Sequence, residues 1–135
     1  MNITLESDYA IRFVLILAQR EERCDAKTLS EQTGVPQRFT LKILRKLVNA
    51  QLLCSFKGIS GGYQLARPAS EISLADIIAV IAGPYSLSRC LTKEDGCSHP
   101  GGGCSKEACK VQKVFGDISL MVHQKLESTT VDKLL

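Results

Sequence analysis

The chain has 135 residues, of which 44% are hydrophobic, 23% charged and 5% aromatic, with a formal net charge of +3 and no Trp. That is one domain's worth of sequence, long enough to bury an aliphatic core without cross-links and too apolar for disorder along its whole length. No apolar run reaches transmembrane length, and the one near the start, residues 13–18, is too short for a signal-peptide core and follows acidic residues.

Residues 7–20 carry apolar side chains almost all the way round, from Ala10 to Leu17. This predicts a first helix buried on several sides. Ser7 is placed to cap it, and Asp8 lies in the first turn, where the macrodipole favours an anion. After a polar loop, Asp25 is placed to cap a short helix over 26–33, which Gly34 ends as a left-handed residue. Pro36 fits the first turn of a third helix that runs to about Asn49. Its apolar stripe reads as Leu41, Leu44 and Val48, with Arg38, Lys42, Arg45 and Asn49 opposite. Two helices joined by a tight Gly-containing turn, the second basic on its outer face, form a helix-turn-helix. Residues 52–56 then have strand character, the segment from Lys57 to Gly62 is a turn, and residues 63–66 return as a second strand that Pro68 ends. A hairpin directly after a recognition helix is a wing, here with Lys57 near its tip.

The placement of charge agrees with this. Between Glu31 and Glu71 there is no acidic residue, while Arg38, Lys42, Arg45, Lys46, Lys57 and Arg67 fall in the same stretch. An acid-free basic segment in an otherwise balanced chain is the footprint of a nucleic-acid contact surface.

Ser73 and Asp76 form a capping-box variant that opens a helix with Leu74, Ile77, Ile78 and Ile81, closed by Gly83-Pro84. Residues 85–108 read as an irregular loop rich in Gly and Cys. From Cys109 a helical period returns through Val111, Val114, Phe115, Ile118, Met121 and Val122 to Leu126. A lone winged helix offers this stripe no burial, so a second subunit is its expected recipient. One further helical turn is expected over 130–135. The fold class is therefore mainly α with a small β-wing: a winged helix-turn-helix over 1–83, a cysteine-rich sensor loop over 84–109, and a dimerisation helix with a C-terminal turn over 110–135.

Six cysteines are present. In the cytoplasm, the expected location, thiols stay reduced, so a cluster of them points to metal binding or redox sensing. Cys24 and Cys54 stand apart and read as small buried fillers. Cys90, Cys97, Cys104 and Cys109 fall within twenty residues. Thiolates favour soft centres such as Zn²⁺ or an Fe–S cluster. No Cys-x₂-Cys knuckle exists, so a zinc ribbon fits poorly. No Cys-x-x-Cys, nucleophile elbow or phosphate-binding glycine loop is present either, so no enzyme is expected.

The stretch Lys57-Gly-Ile-Ser-Gly-Gly-Tyr-Gln-Leu-Ala-Arg-Pro, followed by Ile72-Ser-Leu-Ala-Asp-Ile-Ile, resembles the wing and next helix of the Rrf2 family of winged-helix transcription regulators. Ser7-Asp-Tyr-Ala-Ile-Arg is similar to that family's first helix. The Cys90 to Cys109 loop, continuing as Lys-Val-Gln-Lys-Val-Phe, is similar to its cluster-binding segment and dimer helix. The resemblance implies a homodimer with crossed long helices, operator binding and, in many members, an Fe–S cluster (2Fe–2S or 4Fe–4S) held by three cysteines. Aligned from the helix start, Cys109 matches the last family ligand and Cys97 a middle or first one. Cys90 and Cys104 then compete for the remaining place, or all four ligate. Some relatives carry a ligand His three residues after the last Cys; Gln112 stands there in this chain. In the nitric-oxide-sensing branch an Asp near the partner's N-terminus completes the cluster, and Asp8 matches it in position. An acid in a helix's first turn also needs no such role.

On this reading the third helix enters the major groove of a near-palindromic double-stranded DNA operator. Gln37, Arg38, Thr40 and Lys42 face base edges and flanking phosphates, while Arg45, Lys46 and Lys57 contact phosphates. The expected function is a DNA-binding regulator, acting as a repressor, whose operator affinity is set by the cluster. The alternative is a family regulator without a cluster, switched by thiol oxidation, zinc or partner binding.

Overall fold

The first helix, α1 (Leu5–Ala18), is opened by Thr4 rather than Ser7. The Thr4 hydroxyl accepts the Ser7 N–H at 3.1 Å and pairs with the Ser7 hydroxyl at 2.8 Å. Ser7 is fully buried and occupies the third position of the helix, where its N–H and hydroxyl both meet the capping Thr4 hydroxyl. The computed structural model describes residues 3–91 and 109–135. Ala10, Phe13, Val14 and Leu17 of α1 are buried, and Ile11, Leu15 and Ile16 are half-buried, as a helix at the centre of the core requires.

Asp25 caps α2 (Ala26–Thr33), its carboxylate accepting the Thr28 N–H at 2.7 Å, and Gly34 ends the helix at φ 71°. Pro36 is the N-cap of α3 (Gln37–Asn49), one position earlier than the sequence pattern places it. The buried residues of α3 are Thr40, Ile43, Leu44 and Leu47, whereas Leu41 is exposed. The apolar stripe is thus rotated by about one residue from Leu41, Leu44 and Val48. The rotation is possible because Thr40 donates its hydroxyl to the carbonyls of Val35 and Pro36, at 3.4 and 3.3 Å, and so can be buried without an orphaned polar group.

Strands β1 (Leu53–Phe56) and β2 (Gly62–Leu65) form an antiparallel hairpin with Leu53 opposite Leu65. On its other side β2 is bridged by Cys24, through Tyr63 N–H to Cys24 O at 2.8 Å and Cys24 N–H to Tyr63 O at 3.1 Å. The loop after α1 is therefore tied to the base of the wing by a single antiparallel bridge. Gly62 permits this approach: its φ is +132°, and a Cβ there would lie 2.8 Å from the Cys24 carbonyl oxygen. The Arg23 guanidinium sits over the Phe56 ring, 3.4 Å from its centroid, and donates to Ser60 O at 3.4 Å. It fastens the hairpin to the body of the domain.

Ser73 and Asp76 form a complete capping box at the start of α4 (Leu74–Ala82). The last helix, α5 (Lys110–Ser128), packs along α4 and hands over to a single 3₁₀ turn, Val131–Leu134. That turn returns to the core: Thr129 O accepts the Leu74 N–H, Ile72 O accepts the Val131 N–H, and the Val131 side chain is fully buried. The segment read from sequence as a dimerisation helix with a C-terminal turn is thus stitched to the core of the winged helix at its end. Among the described residues no helix is long and apolar enough to cross a membrane.

Candidate nucleic-acid interface and cysteine site

The exposed face of α3 presents Gln37, Arg38 and Arg45 to solvent, and Lys57 stands exposed on the wing. Among the described residues, Arg38, Arg45 and Lys57 have no ion-pair partner. Thr40 does not share this face. It is fully buried with its hydroxyl committed to the turn between α2 and α3, so its role is to fix the angle of α3 rather than to meet a base. Lys42 and Lys46 are on the helix but not free. Lys42 Nζ lies 3.0 Å from Glu6 Oε1, and Lys46 Nζ lies 3.2 Å from Glu6 Oε2. Hydrogen bonding to Lys42, aided by Lys46 and opposed by partial burial, holds the Glu6 carboxyl below the usual carboxylate range. An acid from far upstream thus enters a segment that contains none of its own. The linear charge pattern cannot reveal this, because the contact joins residues forty positions apart.

The second site gathers at the start of α5. Cys109 is the N-cap, and its sulfur accepts the Gln112 N–H at 3.5 Å. The side-chain amide of the same Gln112 donates to Cys90 O at 2.8 Å. Cys90 belongs to a short 3₁₀ turn, Arg89–Leu91, and its sulfur pairs with the Ser88 hydroxyl at 3.2 Å. The turn is docked on α5 by Leu87 N–H to Ser119 Oγ at 3.0 Å. Leu91 lies beside Gly116, close enough that a Cβ there would make ordinary contact with Leu91 Cδ2 at 3.7 Å. One residue therefore clasps both described loop cysteines, which are half-buried free thiols. Gln112, at the position where the family resemblance sets a ligand His, here bridges Cys109 and Cys90. Ser88 and Ser119 carry no pattern that would single them out in sequence.

Cys97 and Cys104 lie outside the described residues. The donor chemistry present, two soft thiols at the two ends of that segment, suits an Fe–S cluster or another thiophilic centre. Among the described residues no three His, Cys, Asp or Glu side chains come together to hold a metal, so Asp8 is not joined to Cys90 and Cys109 within one chain. The Asp8 carboxylate is paired with Arg12 Nε at 3.0 Å and remains partly exposed. Cys24 is buried, and burial pushes its thiol up from its ordinary value, as befits a filler. Cys54 is half-buried on β1.

The Rrf2 family model, described as an iron-dependent transcriptional regulator, matches residues 3–135. The chain is 31% identical to an rrf2-like HTH-type transcriptional regulator of Rhodobacter capsulatus, over 98% of this chain and 91% of that protein. It is 27% identical to the HTH-type transcriptional regulator NsrR of Oceanobacillus iheyensis, over 100% of this chain and 90% of the other. In three dimensions it is similar to CymR, the global cysteine regulator of B. subtilis. The TM-score is 0.79 at 23% identity, covering 99% of this chain and 95% of that one. A helix-turn-helix with a wing, a basic outer face on α3 and a match along almost the entire chain agree with one another: the chain belongs to the Rrf2 family, whose members are DNA-binding transcriptional regulators and not enzymes.

Proposed function

We propose that this chain works as a homodimeric repressor whose affinity for a near-palindromic operator is set by an Fe–S cluster held by cysteines of the 90–109 segment. The observation that carries this is the Gln112 clasp, which ties Cys90 and Cys109 to the first turn of α5. Cys109 and Cys90, with Cys97 and Cys104 from the segment between them, are the donors, and Asp8 of a second subunit is a candidate for the remaining position. A bound cluster supplies a centre that oxidation, iron loss or nitrosylation alters. Cys109 meets the positive end of a helix, which favours the negative charge of a ligating thiolate. Gln112 keeps the Cys90 turn against α5, and Ser119 holds the residue that precedes that turn.

The α5 stripe supports the dimer. Val111, Val114, Phe115, Ile118 and Met121 are all exposed, and α5 buries no residue in the isolated chain. Such a face is the chemistry of a subunit interface. Two-fold symmetry then sets two α3 helices at a fixed separation, with Gln37 and Arg38 toward base edges and Arg45 and Lys57 toward phosphates.

The second reading is a thiol switch without a cluster, by oxidation, zinc or a partner protein. It is favoured by the same clasp, which holds two free thiols on one residue. Protein purified without oxygen tests both. Matched iron and acid-labile sulfide, visible colour and different operator shifts for holo and apo forms are expected. A colourless protein that resists reconstitution moves the function to the thiol switch. Identical operator binding before and after cluster removal refutes cluster control.

A further inference from the structure

Four cations lie on α3: Arg38, Lys42, Arg45 and Lys46. Their states differ. Among the described residues Arg38 and Arg45 have no acid partner, whereas Lys42 and Lys46, one helical turn apart, converge on the two oxygens of a single carboxylate. That carboxylate, Glu6, projects from the first turn of α1 and is mostly covered, with 28% of its side chain exposed. It stands at the edge of an apolar concavity formed with Leu5, Tyr9, Pro36, Phe39 and Ile43. Lys42 keeps 57% of its side chain exposed and Lys46 35%, so both lysines can be reached from solvent while Glu6 holds them. The Glu6 oxygens thus occupy the place on these two lysines that a DNA phosphate oxygen would take.

We infer that Glu6 is an internal competitor for the DNA backbone: by holding Lys42 and Lys46 it lowers the sequence-independent affinity of the recognition helix and leaves the contact to Arg38 and Arg45. The inference rests on the reading of α3 as the DNA-facing helix. A phosphate that engages either lysine must share it with Glu6 or displace it. Non-specific binding is almost wholly a sum of such phosphate contacts, so an anion fixed among the lysines acts on it directly. Base-edge contacts from Gln37 and Arg38 are not taxed in the same way.

The test is binding of the full chain to a mixed-sequence duplex of about 30 base pairs, measured by fluorescence anisotropy across a salt series. Glu6→Gln removes the charge and keeps a good helix former. The expected result is a salt dependence steeper by about one unit for each recognition helix engaged, and binding about 5- to 10-fold tighter at about 0.1 M salt. Glu6→Ala is expected to do the same, and thermal melting of each variant checks that the fold is kept. Lys42→Gln with Lys46→Gln separates the two layers of the argument. This double variant is expected to weaken binding, flatten the salt slope and abolish the effect of Glu6→Gln. If it weakens binding while both Glu6 variants, still folded, leave affinity and slope unchanged or reduce them, Glu6 is a strut and the inference is overturned on its own. If the double variant changes nothing, α3 does not meet the backbone through these lysines, and the reading beneath the inference falls with it.

Discussion

Replacing Gln112 by Leu isolates the clasp from the rest of the molecule. The change keeps the side chain's bulk and helix propensity and deletes the donor to Cys90 O, a contact of 2.8 Å. A neutral hydrogen bond contributes about 0.5–1.5 kcal/mol, and a buried carbonyl left without a partner costs about 1–3 kcal/mol. This contact is part-buried, so water meets some of the loss, and the expected cost is about 1–2 kcal/mol, a factor of about 5–30. The cost falls on the docking of the Cys90 turn rather than on the whole fold, because Leu87 and Leu91 still tie that segment to Ser119 and Gly116. Anaerobic protein should therefore release iron to an excess of chelator about 5- to 30-fold faster, with its melting transition nearly unmoved. If the protein carries no iron, alkylation of Cys90, read by peptide mass, should accelerate instead. Gln112→Glu sets a carboxylate against the same carbonyl and should go further in the same direction. Equal rates in wild type and Gln112→Leu by both readouts would show that Gln112 does not position Cys90.

Three other outcomes follow from the geometry. Gly62→Ala places a Cβ 2.8 Å from the Cys24 carbonyl at φ +132°, so it should destabilise the protein by about 1–3 kcal/mol; unchanged melting would mean that the Cys24 bridge yields easily. Ile118→Glu together with Met121→Glu puts charge on the exposed stripe of α5; sedimentation should show monomer where wild type is dimer, and a dimer in both would place the interface elsewhere. The third concerns pH. The Glu6 carboxyl is depressed below its ordinary 4.5 by Lys42 first, with Lys46 aiding and burial opposing, so its stabilisation is present above that value and is lost as pH falls through the lowered folded value. The melting temperatures of wild type and Glu6→Gln should thus differ near neutrality and converge in acid, and a gap that persists unchanged in strong acid would contradict the pairing.

Much of this architecture is legible in sequence because its signals are local. The Asp25 cap, the Gly34 stop, the Ser73 and Asp76 box and the hairpin around Gly61-Gly62 each depend on residues within a few positions of one another, and each forms. Thr40 shows where periodicity misleads. A hydroxyl reads as polar and therefore outward, yet two carbonyls of the preceding turn satisfy it and draw it into the core, taking with them the register of the α3 stripe. Ser7 fails for a related reason: Thr4 is an equally good cap three residues earlier, and composition alone does not choose between them. The site is less legible than the fold because its key contacts are long-range. Glu6 reaches Lys46 across forty residues, and Gln112 reaches Cys90 across twenty-two. The four-cysteine pattern marks the cysteine segment, but which side chain organises its described ends follows from tertiary packing.

The return of the C-terminus to the core determines what α5 can transmit. At about 1.5 Å per residue, its nineteen residues span about 28 Å. One end carries Cys109 and the Gln112 clasp; the other is fixed by Thr129 and Val131 against Ile72 and Leu74, at the start of α4. The buried Val131 makes that second attachment apolar as well as hydrogen-bonded, so it does not open freely to water. A helix joined to its domain by a flexible linker would insulate the cysteines from the DNA-binding face. Here no such linker lies between α5 and the core at the C-terminal end. On the proposed reading, a rearrangement at Cys109 can pass to the segment after α4 that carries Cys90, or to rotation of the winged-helix unit with α5 against a second copy. The Gln112 and Ser119 contacts restrain the first, which on that reading favours movement of the recognition helix as the path from the cysteines to DNA.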